Sequence, residues 1–354
     1  MKLSQLGKMR LASQQIESHE MKTPQQLVEW MGAMQAQDYN MAKWAVGLRL
    51  NHCTEKHVES ALDKGTILRT HILRPTWHFV SSKDIYWMLE LTAPRLIASL
   101  KSRHHQLGLT EKIFVKSNSI IEKVLAKEKH LTRDELVKHL QSAKISTENE
   151  KKLHLLFRAE LNGIICSGPK KGKELTYALL HERVNQPKKI EREDALAKLA
   201  LKYFSSHGPA TVQDFAWWSG LSLTDAKHGI EMQRSKLSSE KIDADTYWFL
   251  SSINMSTTNK SSAYLLPAFD ELMISYKNRQ AVIGIESHSK AVSSNGIFWP
   301  IIVVNGLVTG KWKRSFQKEG VKIEKDFFAE PTKVADRLLR KAEKAFKDFL
   351  KDDN

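Results

Sequence analysis

The chain is nearly without cysteine: two in 354 residues, Cys53 and Cys166. They are too few and too isolated for a disulfide framework or a zinc site. No uninterrupted apolar run approaches the ~20 residues that a membrane span needs. The N-terminal Met1-Lys2-Leu3-Ser4 opens an amphipathic helix and lacks the apolar core of a signal peptide. These absences fit a cytoplasmic protein. A nucleotide-phosphate loop is missing too, since Gly168-Pro169-Lys170-Lys171-Gly172-Lys173 is too short and no Ser or Thr follows it. His104-His105 has no third metal ligand at useful spacing. No Ser/His/Asp order stands out, and no lysine is singled out as a nucleophile. Acid is scarce relative to base: 40 Asp and Glu against 55 Lys and Arg, a net charge of +15. Such a balance suits a polyanionic partner, nucleic acid before anionic membrane. Plain solubility is the simpler use of the same charge.

The length allows two or three domains or a repeat array. Residues 3–18 have apolar positions near helical spacing. Thr23-Pro24-Gln25-Gln26 predicts a helix start, with a Thr cap and Pro at the first helical position, and that helix runs to about Met34. A second helix passes through Trp44 and Leu48, and Thr54 caps a third that ends at Gly65. The β-branched and aromatic runs 66–73 and 76–80, joined by Arg74-Pro75, predict a hairpin. The pattern recurs. Thr132-x-x-Glu135 and Thr147-x-x-Glu150 are capping boxes, the second opening a helix to Asn162, and 164–166 with 175–179 flank a basic turn. A third copy has helix starts at Thr211 and Ser222 and a hairpin near 241–250. Helix, turn, helix and a two-stranded wing, three times over, is a tandem winged-helix arrangement, in which each second helix enters a groove and each wing meets phosphates.

Beyond about residue 260 the texture becomes β-rich. Strands are expected at 264–267, 297–304, 307–312 and 321–324, with Asn305-Gly306 as a hairpin turn. A terminal helix from Pro331 to Leu350 would present Val334, Leu338, Ala342, Ala345 and Phe349 on one face. The Ser/Thr/Asn-rich stretch Asn254 to Ser262 reads as a linker. The expected class is α+β: winged helices over 1–90, 91–190 and 191–258, then a β-rich element over 259–354 closed by a helix.

The chemistry-bearing run is Met34-Gln35-Ala36-Gln37-Asp38. In an extended segment residues i and i+2 project to the same side. Gln35 and Gln37 would then face one point with two acceptors and two donor amides, enough to hold a water or a sugar oxygen. Asp38 would point away and serve as a cap or ion-pair partner. Taken alone, such glutamines more often satisfy backbone groups in a buried turn. The run, however, resembles the Gln-x-Gln motif of the AlkZ group of bacterial DNA glycosylases, in a larger tandem winged-helix family whose YcaQ group has Gln-x-Asp. Four further stretches are similar to that family: Arg69 to His78, Gly208 to Leu221, Leu265 to Glu271, and Gly306 to Trp312. The resemblance covers nearly the whole chain in the expected order.

The resemblance implies removal of bulky alkylated purines from double-stranded DNA, interstrand crosslinks included. The enzyme would be a monofunctional glycosylase, a hydrolase of N-glycosyl bonds, acting as a monomer without metal or organic cofactor. Gln35 and Gln37 would hold water and touch the sugar. Asp270 and Glu271 match the family's Phe-Asp-Glu stretch as a candidate catalytic or structural acid, with a structural role in holding the C-terminal sheet the stronger reading. Arg69, His71, Arg74 and His78 on the first wing, and Lys170, Lys171 and Lys173 in the basic turn, are DNA-contact candidates; a solvated hairpin face or charged loop tip is their bland alternative. Tyr39, Trp77 and Trp299 are stacking or wedge candidates, with core packing the better expectation for any one of them. The rival class is a non-catalytic winged-helix DNA-binding protein such as a transcriptional regulator.

Overall fold

A computed structural model describes residues 2–252, 260–318 and 320–351. The stretch expected as a linker lies outside the described residues through residue 259. The chain begins with α1 (Leu3–Ser13), α2 (Pro24–Met31), β1 (Ala33–Gln35), α3 (Tyr39–Gly47), α4 (Glu55–Asp63), β2 (Ile67–His71) and β3 (Trp77–Ser81). Thr23 caps α2 by accepting the Gln26 N–H at 3.2 Å, with Pro24 at the first helical position. Gly32, at φ 77°, ends that helix and turns the chain into β1. Asp38 then caps α3, accepting the Met41 N–H at 3.1 Å. The sheet has the order β1-β3-β2, and Gln35 sits opposite His78.

The long helices α5 (Ile85–Ser99), α6 (Lys101–Gln106) and α7 (Glu111–Glu128) lead to β4 (His130–Thr132), α8 (Arg133–Ser142), α9 (Lys151–Leu161), β5 (Ile165–Ser167) and β6 (Thr176–Leu179). Their sheet runs β4-β6-β5, the same topology as the first. After α10 (Leu180–Arg183) and α11 (Arg192–Ser206), an isolated bridge pairs Ala210 with Trp248, followed by α12 (Val212–Ser219), α13 (Leu223–Met232), β7 (Leu237–Ile242) and β8 (Asp245–Leu250). Helix, short strand, two helices and a hairpin thus recur three times. The C-terminal region holds β9 (Ala263–Leu266), α14 (Glu271–Ile274), α15 (Ile285–Ala291), β10 (Ile301–Val304), β11 (Leu307–Gln317), β12 (Gly320–Phe327) and α16 (Lys333–Phe349). Its antiparallel sheet runs β12-β11-β10-β9, and Asn305-Gly306, at φ 52° and 83°, makes the two-residue turn between β10 and β11.

Several local expectations change: α2 ends at Met31, short of Met34, and the strand expected over 297–304 covers only Ile301–Val304. The first helix stops at Ser13, because Gln15 takes a left-handed conformation, φ 60°. Thr147 does not cap α9: its hydroxyl accepts from Gln141 at 2.9 Å, and Glu150 occupies the cap position. On α16 the buried stripe is Ala335, Leu339, Phe346 and Phe349, while Val334 and Ala345 are exposed. Aromatic packing sets that rotation, since Phe346 lies 5.1 Å from Trp44 and 5.0 Å from Trp312.

Strand β1 is the seam of the molecule. Alternation along a strand sends neighbours to opposite faces. Ala33 enters a core shared with Leu68, Trp87, Leu180, Tyr203, Phe215 and Trp218. Met34 enters another, built from α2, α3, the C-terminal sheet and α16. Two cores therefore fix the position of the next residue, Gln35.

Candidate active site

Gln35 ends β1 and is 8% exposed. Its backbone N–H donates to Glu271 Oε1 at 2.6 Å, and its Oε1 accepts from Arg74 Nη2 at 3.2 Å. Arginine has only donors, so the amide oxygen, not the nitrogen, faces Arg74. Gln37 is exposed, and its amide has no partner among the described residues. The two glutamines are near one another in the chain but stand at different depths. Asp38, the next residue, lines an open groove of about 750 Å³ with Trp299, Lys311, Lys313 and Arg314. Tyr39, one residue further, lines a cavity of about 370 Å³ with Arg69 and Trp77.

Glu271 lies behind Gln35 and is 1% exposed. Its other oxygen accepts from the Ser275 hydroxyl and stands 3.6 Å from His207 Nε2. Burial alone would raise this carboxyl; the His207 ring, the Arg74 guanidinium and the Ser275 hydroxyl outweigh it and hold the group down at about 2. The acid sits at the start of the one-turn helix α14, whose carbonyls are tied from outside. Tyr203 donates to Ser275 O at 2.9 Å, Trp217 Nε1 to Ile274 O at 3.0 Å and Arg279 Nε to Met273 O at 2.7 Å. Arg74 Nη1 also reaches Ile274 O, at 3.3 Å. Arg74 thus joins the first hairpin, Gln35 and α14, and burial lowers its affinity for the proton despite Glu271.

Asp270 is a neighbour with a different environment. Both its oxygens take a fork from Arg49, at 2.9 and 3.0 Å, and Oδ1 also caps α14 through the Leu272 N–H. It joins the residue just past α3, Arg49, to the C-terminal region.

The other predicted residues divide into three groups. His78 lies beneath the sheet, fully buried, instead of on a solvated hairpin face. Its Nδ1 is 2.9 Å from Thr76 O, and burial, with Arg74 nearby, drops its pKa to about 3. Arg69 and His71 belong to a cluster on the far side of the hairpin. The Arg69 guanidinium lies 4.3 Å from the Trp77 ring centre, its Nε donates to Ala36 O at 3.0 Å, and His71 meets Glu160. In the basic turn, Lys170 pairs with Glu59 at 2.6 Å and Lys171 with Glu135, while Lys173 is exposed with no partner among the described residues. Of the stacking candidates, Trp299 is 43% exposed, whereas Tyr39 packs edge-on against Phe79 at 6.1 Å.

Sequence reasoning missed His207, Ser275 and Trp217. Gln35 and Glu271 are 236 positions apart, and no local pattern connects them. His207 next to Gly208-Pro209 carried no signal of its own.

Residues 28–349 match the family model described as DNA glycosylase AlkZ-like. A curated relative, the interstrand DNA cross-link repair glycosylase of Streptomyces sahachiroi, is 23% identical over 323 residues, 86% of this chain and 85% of that protein. The solved structure of Streptomyces sahachiroi DNA glycosylase AlkZ superposes with a TM-score of 0.83 at 20% identity, covering 99% of this chain and 96% of that one. At that identity the structural likeness establishes the mixed α+β fold. No helix among the described residues is long and apolar enough to cross a membrane. The family match spans most of the chain, and the chain belongs to the AlkZ-like DNA glycosylases, enzymes that hydrolyse N-glycosyl bonds.

Proposed function

We propose that this chain removes alkylated purines from duplex DNA, interstrand crosslinks among them, using Gln35 and Gln37 to set the attacking water. The reading that crosslinks are substrates draws on the name of the Streptomyces relative. The threefold recurrence of helix, strand, two helices and hairpin supports three winged helices over 1–90, 91–190 and 191–258, with a β-rich element over 259–354. The net charge of +15 supports a duplex partner. A curved array of this kind works as a cytoplasmic monomer. The chemistry asks for no metal or organic cofactor, because a purine alkylated at N7 is already cationic and leaves without an acid.

The observation that carries the reading is the unequal environment of the two amides. With its oxygen held by Arg74, Gln35 has its NH₂ left to donate. Gln37, unpartnered at the surface, has its carbonyl left to accept. A water that receives from Gln35 and donates to Gln37 keeps one lone pair for the anomeric carbon. Neutral amides are weak bases, so the gain comes from orientation and from dipoles aimed at the charge that grows on the sugar. Glu271 is a positioning residue, fixing β1 through the Gln35 N–H and steadying Arg74. Asp270 is structural. Lys173 meets phosphate directly, and Lys170 and Lys171 exchange their carboxylate partners for it. Arg69, His71, Arg74 and His78 serve the DNA side by shaping the first hairpin.

The test is a duplex carrying 7-methylguanine, scored for abasic sites by alkaline cleavage. Gln35→Ala and Gln37→Ala should each slow single-turnover release by about 10²-fold while DNA affinity stays within a few-fold. A double variant as fast as wild type would remove both glutamines from the mechanism. Absence of release by the wild type across alkylated duplexes would remove the activity.

A further inference from the structure

Between the first hairpin and the second unit lies a cavity of about 370 Å³, inside the range of about 300–1,000 Å³ usual for small-ligand sites. Its wall joins the glutamine run: Tyr39 follows Gln37 by two residues, and Arg69 holds Ala36 O at 3.0 Å. Glu160 also lines it and is 1% exposed. One Glu160 oxygen is taken by His71 Nδ1; the other, Oε1, is buried with no hydrogen-bond partner among the described residues. An unanswered buried acceptor is destabilising, so it calls for an explanation. Trp77, Tyr39 and Tyr177 add aromatic lining. The Nη atoms of Arg69 have no hydrogen-bond partner among the described residues.

The charge of the wall narrows the ligand. Four acids, Asp63, Asp134, Glu160 and Glu174, outnumber the three cations in a chain whose overall charge is +15. A phosphate is unwelcome there. A flat ring that presents donors to Glu160 and an acceptor to Arg69 fits. Guanine offers N–H donors on its Watson–Crick edge beside the O6 acceptor, whereas adenine carries a donor amine at the position of O6. Alkylation at N7 adds a positive charge to the ring, which the acid-rich wall favours.

We infer that this cavity seats the damaged base, an N7-alkylated guanine swung out of the stack, with Glu160 Oε1 reading its donor edge. The inference rests on the glycosylase reading above and gives it a source of lesion selectivity. It concerns monoadducts, which are free to leave the duplex. Cleavage of the C1′–N9 bond returns the electron pair to N9, so the base leaves neutral. The water oxygen bonds to C1′ and its proton goes to solvent. The charge that favoured entry is gone in the product, and the seat loosens as the reaction ends.

The test is calorimetric titration of the intact chain at pH 6 with 7-methylguanosine, guanosine and inorganic phosphate. The charged nucleoside should bind at least about tenfold tighter than guanosine, and phosphate should not bind. Glu160→Gln should weaken 7-methylguanosine at least about tenfold. Leu175→Trp, on the rim where Leu175 is 38% exposed, should do the same without touching the buried pair, so the result does not hang on the folding of one variant. Equal binding of 7-methylguanosine by wild type and Leu175→Trp, or phosphate binding that Leu175→Trp abolishes, overturns the inference. Base release from methylated duplex is scored in parallel. A chain that releases base yet ignores 7-methylguanosine loses the seat and keeps the activity; one that binds the nucleoside but releases nothing keeps the seat and loses the activity.

Discussion

Replacing Glu271 by glutamine removes one negative charge from a site 1% exposed while keeping the side-chain length and one carbonyl oxygen. The wild-type carboxylate accepts the Gln35 N–H at 2.6 Å and the Ser275 hydroxyl, and it faces Arg74 and His207. Its carboxyl is held at about 2, against 4.5 for the free group. At ~1.4 kcal/mol per unit, that gap corresponds to about 3 kcal/mol of folding stability. The folded value is the lower one, so the contribution is complete above about pH 4.5 and is lost as pH falls towards 2. Urea unfolding at pH 7 should find Glu271→Gln weaker than wild type by about 3 kcal/mol. The gap should shrink to less than half of that at pH 3. Base release should fall as well, even where the variant is folded, because the register of Gln35 depends on the same carboxylate. A gap below about 1 kcal/mol at pH 7, or one that is unchanged from pH 7 to pH 3, would refute the claim that an ionised Glu271 holds β1.

Asp270→Asn should lower stability by about 3–5 kcal/mol in thermal or urea unfolding, because it leaves the fully buried Arg49 without its charge partner; a loss under about 1 kcal/mol would show that the pair is relaxed in solution. His78 should stay neutral from pH 5 to pH 8, since burial holds it near 3; an NMR titration of its ring with a midpoint near the ordinary histidine value of 6.5 would contradict the buried placement.

Much of the fold was legible because capping chemistry is local. Thr23, Asp38, Thr132, Thr211 and Ser222 all cap helices, and each signal occupies four consecutive residues. The hairpins were legible for a similar reason, as β-branched runs meeting at a turn. The short first strands were not. β1 and β4 are three residues each, too short for alternation to be recognised, and the third is a single bridge at Ala210. Those strands complete each sheet, and one of them holds Gln35. The rotation of α16 was hidden because small apolar residues lie on both flanks of the helix, and only contact with Trp44 and Trp312 selects Phe346.

The candidate site was half legible for a different reason. The glutamine run is contiguous and can be read as a motif, but the groups that give it direction come from elsewhere. Arg74 comes from the turn of the hairpin, Glu271 from after β9, and His207 from the end of α11. Sequence spacing placed Gln35 and Gln37 on one side of an extended segment; it did not separate their roles. That separation depends on Arg74, because a donor-only group fixes which end of the Gln35 amide is free. A carboxylate in place of Gln35 would be drawn into an ion pair with Arg74, leaving no donor for water. A neutral amide there accepts from the cation and still donates. The same buried Glu271 that steadies Arg74 also makes a second negative charge at position 35 costly. Under the proposed mechanism, the choice of glutamine over an acid follows from the charge already stored behind the strand.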